Sequence, residues 1–265
     1  MLPEKSISVH SLAERHQFIL NKLKKEGKVN VLDLCSDLNV SSVTIRKDLK
    51  LLEDKNLLFR THGGGTLVNP YTTDRHVNEK EKINADEKMK IGAAAAQLIV
   101  PDDCIIIASG TTVLSLAKNI QSQGNLTVIT AALNVATELN HNPNIEILVL
   151  GGILRKSSSS GTGNYAERIL EDFSCSKLFL GVDGIDPEFG LTTTNVMEAQ
   201  LNRKMISAAQ KTIVLADSSK FGRRGFGRIC GLEDVEQIIT DSGISEHMVE
   251  TLKGLGIEVT IVETD

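Results

Sequence analysis

Val40-Ser-Ser-Val-Thr-Ile-Arg-Lys-Asp-Leu49 reads as the opening of a helix with one basic face. Ser41 suits the N-cap, where a side-chain oxygen accepts from the unpaired N–H groups of the first turn. Val43, Ile45, Leu49 and Leu52 make an apolar set at helical spacing. Ser42, Thr44, Arg46, Lys47 and Lys50 are left for a polar face. Short donors, a forked guanidinium and two ammonium groups near a helix start suit a major groove of double-stranded DNA and its flanking phosphates.

The neighbouring segments support that reading. Leu12, Ile19, Leu20 and Leu23 share a face of a first helix that ends near Gly27. Residues 31–38 form a second, with Leu32, Leu34 and Leu38 inward, and Asn39 and Val40 turn the chain into a third helix ending near Asn56. Three helices with a tight turn before the last make a helix-turn-helix. Residues 57–62 have strand character, Gly63-Gly-Gly65 breaks it, and Thr66-Leu-Val68 returns as a second strand, a small wing. Arg60 and His62 lie in that wing within reach of phosphate; for His62 a plain turn residue is the alternative.

The charge distribution agrees. The 265-residue chain carries a net −5, which argues against indiscriminate nucleic-acid binding. Residues 1–62, however, hold 11 Lys+Arg against 8 Asp+Glu, a net +3, leaving −8 for the remainder. The cysteines at 35, 104, 175 and 230 form no CxxC pair, so reduced, buried thiols are expected, with no metal and no cofactor. No apolar run reaches membrane-spanning length and the N-terminus lacks a signal-peptide core, which predicts a cytoplasmic protein with no membrane partner.

Residues 69–88 are polar and charged and read as a linker into a helix from about Met89 to Leu98. Beyond Pro101, β-branched runs recur at 104–107, 126–129, 145–150, 178–180, 212–215, 238–239 and 258–262. Helical segments separate most of them, at 113–120, 135–139, 165–173, 197–209 and 246–255. This alternation predicts an α/β fold with a mostly parallel sheet. The expected division is 1–68 for DNA binding, 69–88 as linker and 89–265 as a second domain. In such sheets ligands bind at the carboxyl ends of the strands. Ser157–Ser160 reads as a mobile loop.

Four motifs follow predicted strands. Ser109-Gly110-Thr111-Thr112 is a phosphate cradle or a simple helix cap, and no Gly-Lys-Ser/Thr follows it. Gly151-Gly152 with Arg155 is a close backbone approach to a ligand or a plain turn. Gly181-Val-Asp183-Gly-Ile-Asp186 places a carboxylate for sugar hydroxyls or makes an ordinary Asp-Gly turn. Asp217-Ser-Ser-Lys220-Phe offers a cation for an anion or a surface salt bridge. Four polar motifs at successive strand ends would share one rim. No Ser-His-Asp or metal-ligand arrangement stands out among them.

These residues resemble the DeoR family of bacterial transcriptional regulators. Arg15, Ile19 and Leu23, then Ser41-x-x-Thr44-Ile-Arg-Lys-Asp-Leu49, Leu52-Glu53 and Leu58-x-Arg60-Thr-His-Gly-Gly64, are similar to its DNA-binding signature. Ser109–Thr112, Gly151-Gly-x-x-Arg155, Gly181-x-Asp183-Gly184, Gly190-Leu-Thr, Glu198-Ala and Asp217–Phe221 are similar, in order, to its sensor domain. The resemblance implies a winged helix-turn-helix followed by a domain resembling ribose-phosphate isomerase. It implies a repressor of a carbohydrate operon, controlled by a phosphorylated sugar. DNA contacts would come from Ser41, Ser42, Thr44, Arg46, Lys47, Lys50, Arg60 and His62. Ser109, Gly110, Thr111 and Thr112 would hold phosphate, and Gly152, Arg155, Asp183, Glu198 and Lys220 would line the rest of the effector site. A module of this size binds paired half-sites as a homo-oligomer, a dimer or tetramer. Ala108 stands where the family commonly has Asp, Ala131 where Asn is frequent, and Lys47 where Arg is frequent. The two alanines would remove polar groups from the pocket rim and alter the effector. The alternative is a sugar-phosphate isomerase with an accessory DNA-binding head, Glu198 acting as base. The head has no evident purpose in an isomerase, so a non-enzymatic regulator is the expectation.

Overall fold

A computed structural model describes residues 11–55, 57–61, 63–67, 76–121 and 124–264. His62, Val68 and residues 69–75, with the expectations placed on them, lie outside the described residues. The chain divides into two units, Met1–Thr73 and Asp74–Asp265.

The first unit contains α1 (Leu12–Glu26), β1 (Lys28–Asn30), α2 (Val31–Leu38), α3 (Ser42–Asp54), β2 (Phe59–Thr61) and β3 (Gly64–Thr66). Ser11 and Glu14 close a capping box at the start of α1, and Gly27 ends it in the left-handed conformation. Asn39, also left-handed, ends α2, and Ser41 caps α3 by accepting from the Thr44 N–H. The core holds Ile19, Leu23, Val29, Val31, Leu34, Leu38, Ile45, Leu49, Leu52 and Leu58. Some inward assignments are therefore corrected. Leu12, Leu32 and Val43 are exposed, and His16 and Val31 take buried places. Apolar residues lie on more than one side of these short helices, and packing alone selects the phase.

The wing also differs from expectation. Gly64 and Gly65 do not break the strand but form β3, which lies between β1 and β2 in an antiparallel sheet. A Cβ on Gly64 would sit 1.8 Å from the Val29 carbonyl oxygen, so only glycine permits that pairing. Asp48 lies on the inward stripe of α3, almost fully buried. Arg15 of α1 grips it in a fork, Nε to Oδ2 at 2.7 Å and Nη2 to Oδ1 at 3.0 Å. This pair ties the first helix to the third.

The second unit runs α4 (Val77–Glu81), α5 (Ala85–Ala96), β4 (Cys104–Ile107), α6 (Thr111–Asn119), β5 (Leu126–Thr130), α7 (Leu133–Leu139) and β6 (Ile145–Val149). Next come β7 (Ile153–Arg155), β8 (Ser160–Thr162), α8 (Asn164–Ile169), β9 (Lys177–Gly181), β10 (Gly184–Asp186), β11 (Gly190–Thr193) and α9 (Val196–Ser207). The chain ends with β12 (Thr212–Leu215), β13 (Gly227–Cys230), β14 (Gln237–Asp241), α10 (Glu246–Gly254) and β15 (Glu258–Val262). All seven expected strands join one parallel sheet in the order β15-β14-β12-β9-β4-β5-β6.

Alternate residues of these strands feed two cores. Ile106, Leu178, Leu180, Val214 and Ile238 pack with α8, α9 and α10. Ile105, Ile107, Phe179, Ile213, Leu215 and Ile239 pack with α5, α6 and α7. Burial on both faces explains why the strands read as continuous apolar runs. Helices α5 and α6 touch backbone to backbone: a Cβ on Gly92 would lie 2.5 Å from the Ser115 carbonyl carbon.

Several expectations are overturned. The segment read as a linker to residue 88 contains α4 and the first turn of α5, and Lys88 is buried. Ser157–Ser160 is not a free loop: Ser160 opens β8 and is buried, and the Ser159 carbonyl accepts from Leu133 N–H. Ala108 and Ala131 pack inside the apolar core rather than on a pocket rim. Only Cys175 of the four thiols is fully buried, its sulfur 3.3 Å from that of Cys104. The antiparallel sheet β10-β11-β13 and the hairpin β7-β8 were not anticipated. No helix among the described residues is long and apolar enough to cross a membrane.

Candidate functional site

In the first unit, inward Ile45, Asp48, Leu49 and Leu52 turn the opposite side of α3 outward. Arg46, Lys47 and Lys50 are exposed, and Ser42 is half-buried. Exposed Val43 joins them, an apolar group on the basic face that the periodicity had assigned inward. Ser41 and Thr44 are engaged with each other, their hydroxyl oxygens 2.9 Å apart. Arg60 stands on β2, its N–H donating to Glu53 Oε1 at 2.8 Å and its guanidinium 3.9 Å from Glu53 Oε2.

In the second unit the strand order locates the crevice. From β4 the chain winds through β5 and β6 to one side, then returns to β9 on the other and continues through β12, β14 and β15. The direction therefore reverses between β4 and β9, and in such sheets the cleft opens outside the carboxyl ends at that point. Ser109–Gly110 follows β4 and Gly181 ends β9, so they face each other there. A Cβ on Gly181 would lie 3.1 Å from the Ser109 carbonyl oxygen and 3.9 Å from Gly110 Cα. Gly110, at φ 137°, starts α6 with no side-chain cap. The first-turn N–H groups of α6 are thus turned toward the cleft, with half-buried Ser109 and buried Thr111 and Thr112 beside them.

Asp183 follows β9. Its Oδ1 accepts from Lys80 Nζ at 2.8 Å, and its Oδ2 accepts from the Thr193 hydroxyl at 3.1 Å and Thr194 N–H at 3.2 Å. Burial pushes this carboxyl up, but the charges of Lys80 and Lys220 and the hydrogen bonds outweigh it and hold it below the usual range. Asp217 follows β12 and caps the short turn Ser218–Lys220. Its Oδ1 accepts from Asn84 Nδ2 at 2.8 Å, and Lys220 Nζ lies 3.9 Å from its Oδ2. Burial raises Asp217 too, and Lys220 with these donors again wins. Asp241, at the end of β14, fixes the turn by accepting from Ser218 N–H at 2.6 Å.

Glu198 lies near the start of α9 and pairs with Arg155 of β7 at 2.7 Å. The Thr193 hydroxyl contacts both Asp183 and Glu198, linking the two carboxylates into one network. Gly152 is at the base of the hairpin. A Cβ there would meet the Thr162 carbonyl oxygen at 2.5 Å, so its missing side chain serves β7–β8 pairing. Asp186 lies apart, paired with Arg224 at 2.8 Å.

Three polar residues come from the segment read as a linker. Lys80, Asn84 and Lys88 meet Asp183 and Asp217 from across more than a hundred residues of chain. Asn84 is left-handed and does not cap α5; its amide goes to Asp217 instead. Lys88 Nζ donates to the carbonyls of Lys80 and Ile83, both at 2.6 Å. Burial lowers its pKa to about 8, opposed by Asp217 and reinforced by Lys220 and Lys80. The Asn-Ala-Asp-Glu run at 84–87 is the one local sign of a helix start here. Among the described residues, Asp217 Oδ2 and Thr194 Oγ1 are buried with no hydrogen-bond partner. Such atoms are costly unless a ligand or water completes them. The crevice therefore offers a helix start and cations for an anion, beside carboxylates and hydroxyls for a polyol.

Residues 15–70 match the family model described as DeoR-like helix-turn-helix domain, and residues 83–242 match that of the DeoR C terminal sensor domain. The putative aga operon transcriptional repressor of Escherichia coli O157:H7 is 37% identical over 256 residues, covering 96% of this chain and 95% of that protein. The HTH-type transcriptional repressor GlcR of Bacillus subtilis (strain 168) is 34% identical over 252 residues, covering 95% and 97%. Among solved structures, ribose 5-phosphate isomerase A from Methanocaldococcus jannaschii overlaps 52% of this chain and 55% of its own, at 16% identity and a TM-score of 0.39, too slight a likeness to argue from.

Proposed function

Since the chain belongs to the DeoR family of transcriptional regulators, we propose that it represses a carbohydrate operon in the cytoplasm and that a phosphorylated sugar in the strand-end crevice sets its grip on operator DNA. The observation that carries this is the pairing, at one switch point, of an uncapped helix start with a carboxylate and hydroxyl network. Phosphate goes to Gly110, Thr111 and Thr112, where helix-start N–H groups and the helix dipole favour an anion. Lys220 and Lys88 add positive charge nearby. The sugar hydroxyls donate to Asp183 and Asp217, whose Oδ2 is without a hydrogen bond. Arg155 and Glu198 hold the far wall together.

On DNA, Ser42, Arg46 and Val43 meet base edges, Val43 suiting a thymine methyl, while Lys47 and Lys50 meet phosphates. Thr44 holds the helix start through Ser41. Arg60 reaches the backbone from the wing while Glu53 orients it. A homo-oligomer places two heads on paired half-sites. Control follows from differential affinity: the sugar phosphate binds one arrangement of the heads better and shifts the population toward it.

Turnover is not the role of this pocket. Glu198, the candidate base, is held by Arg155 at 2.7 Å and is not placed as a free base. The test pairs a thermal-shift screen of pentose and hexose phosphates with DNA binding to a duplex selected from a random library. A sugar phosphate that raises the melting temperature and changes DNA affinity supports the reading; no response from any of them refutes it. Aldose–ketose conversion by the purified chain would favour the isomerase instead.

A further inference from the structure

Helix α4 is five residues long and is held by contacts with three other parts of the sensor unit. Its Lys80 ammonium reaches the Asp183 carboxylate, beyond β9, at 2.8 Å. The neighbouring Glu81 pairs with Lys118, in the last turn of α6, at 2.7 Å. At its first residue, Val77 N–H donates to the Ser157 carbonyl, between β7 and β8, at 2.6 Å. From behind, the Lys88 ammonium donates to the Lys80 carbonyl at 2.6 Å. A helix of one and a half turns cannot hold itself together in water. Its place is set by these contacts, and one of them ends on a carboxylate of the crevice.

We propose that Lys80 reads the occupancy of the crevice: empty, its ammonium is latched on Asp183; occupied, it is drawn to the ligand phosphate while a ligand hydroxyl takes Asp183, and α4 moves with it. This rests on the sugar-phosphate reading above and names its reporter. Asp183 Oδ2 already accepts from Thr193 and Thr194, so Oδ1, where Lys80 sits, is the oxygen a ligand hydroxyl must share. A phosphate offers the ammonium a doubly charged partner in exchange. Lys80 is about 29% exposed and Asp183 about 18%, so the exchange needs no unfolding of the core. In the chain, Val77 follows the division between the two units, at Thr73 and Asp74, by three residues.

The test uses the full-length chain, the library-selected duplex, and inorganic phosphate, ribose 5-phosphate, fructose 6-phosphate and glucose 6-phosphate as probes. In the wild type, the active probe shifts DNA affinity within the usual range for coupled sites, about 5- to 150-fold. Lys80→Met is expected to show, without any probe, the DNA affinity of the probe-saturated wild type, and to respond to the probe less than about 2-fold, small on that scale. Lys80→Arg, which keeps a cation for Asp183, is expected to restore the response. Hydrogen exchange of residues 77–81 gives an independent readout. Probe-saturated wild type and probe-free Lys80→Met should both exchange faster there than the empty wild type. A wild type that responds alongside a Lys80→Met that responds equally, with unchanged exchange at 77–81, overturns the latch and leaves the sugar-phosphate reading standing. A wild type with no thermal shift and no change in DNA affinity from any probe overturns both.

Discussion

Replacing Asp48 by alanine should destabilise the DNA-binding unit strongly while sparing the sensor. Asp48 is about 2% exposed at its side chain and Arg15 about 14%, and two charge-assisted bonds of 2.7 and 3.0 Å join them. Removing one member of a buried pair costs roughly 3–5 kcal/mol, because the remaining charge stays buried without its partner. Arg15 retains some contact with water, which argues for the lower end, about 3 kcal/mol. A unit of this size has roughly 3–9 kcal/mol of stability in total. The loss corresponds to a fall of ~12–24 °C in its melting temperature. Urea unfolding followed by circular dichroism, with DNA binding by fluorescence anisotropy, measures the effect. The double variant Arg15→Met/Asp48→Leu removes both charges at once and should recover most of the stability, since apolar replacement of a buried pair is often neutral or better. A shift below about 1 kcal/mol for Asp48→Ala, the scale of an exposed pair, would refute the assignment of this pair as a buried clamp.

Three further outcomes are expected. Gly110→Ala places a side chain in a left-handed backbone at φ 137°, costing ~1–3 kcal/mol, and covers the start of α6; calorimetry with the active sugar phosphate should show at least a ~10-fold loss of affinity, a step worth about 1.4 kcal/mol, and unchanged affinity would rule out the cradle. Burial lowers Lys88 from 10.5 to about 8, so between those values only the unfolded chain keeps the proton and the sensor gains stability as pH rises; Lys88→Met should flatten that rise in urea titrations from pH 7 to 10.5. Arg46→Ala should relax the preference at one base pair by ~1–3 kcal/mol, whereas Lys47→Ala should weaken all sequences alike and reduce the salt slope by about 1; anisotropy on single-base duplex variants at several salt concentrations separates the two.

Much of this fold is legible locally. Strands β4 and β12 begin and end where the apolar runs do, because a strand covered on both faces needs few polar residues; β15, partly exposed at the sheet edge, also keeps its expected limits. Helix α2 likewise has the expected limits, set by Asn30 and Asn39. The short strands β10, β11 and β13 are not legible, since three- and four-residue segments with glycines carry no period. Helix phase fails for a related reason. Leu32 and Val43 are as apolar as their buried neighbours, and only packing against other elements decides which side turns inward.

The sensor site divides the same way. Each motif after a strand was visible from its residue types, and the helix start at Ser109–Thr112 could be placed by counting from a run of isoleucines. That these motifs meet depends on strand order, which puts β9 beside β4 although the 69 residues between Ile107 and Lys177 run through β5, β6, β7 and β8. Lys80, Asn84 and Lys88 looked like a solvated charge run because their partners, Asp183 and Asp217, lie 103 and 133 residues away for the first two. Spacing alone marked the basic residues of Val40–Leu49, though not Val43 beside them. The crevice proposed to hold the effector exists only once the sheet has formed, because its charges are neutralised by contacts that no local pattern encodes.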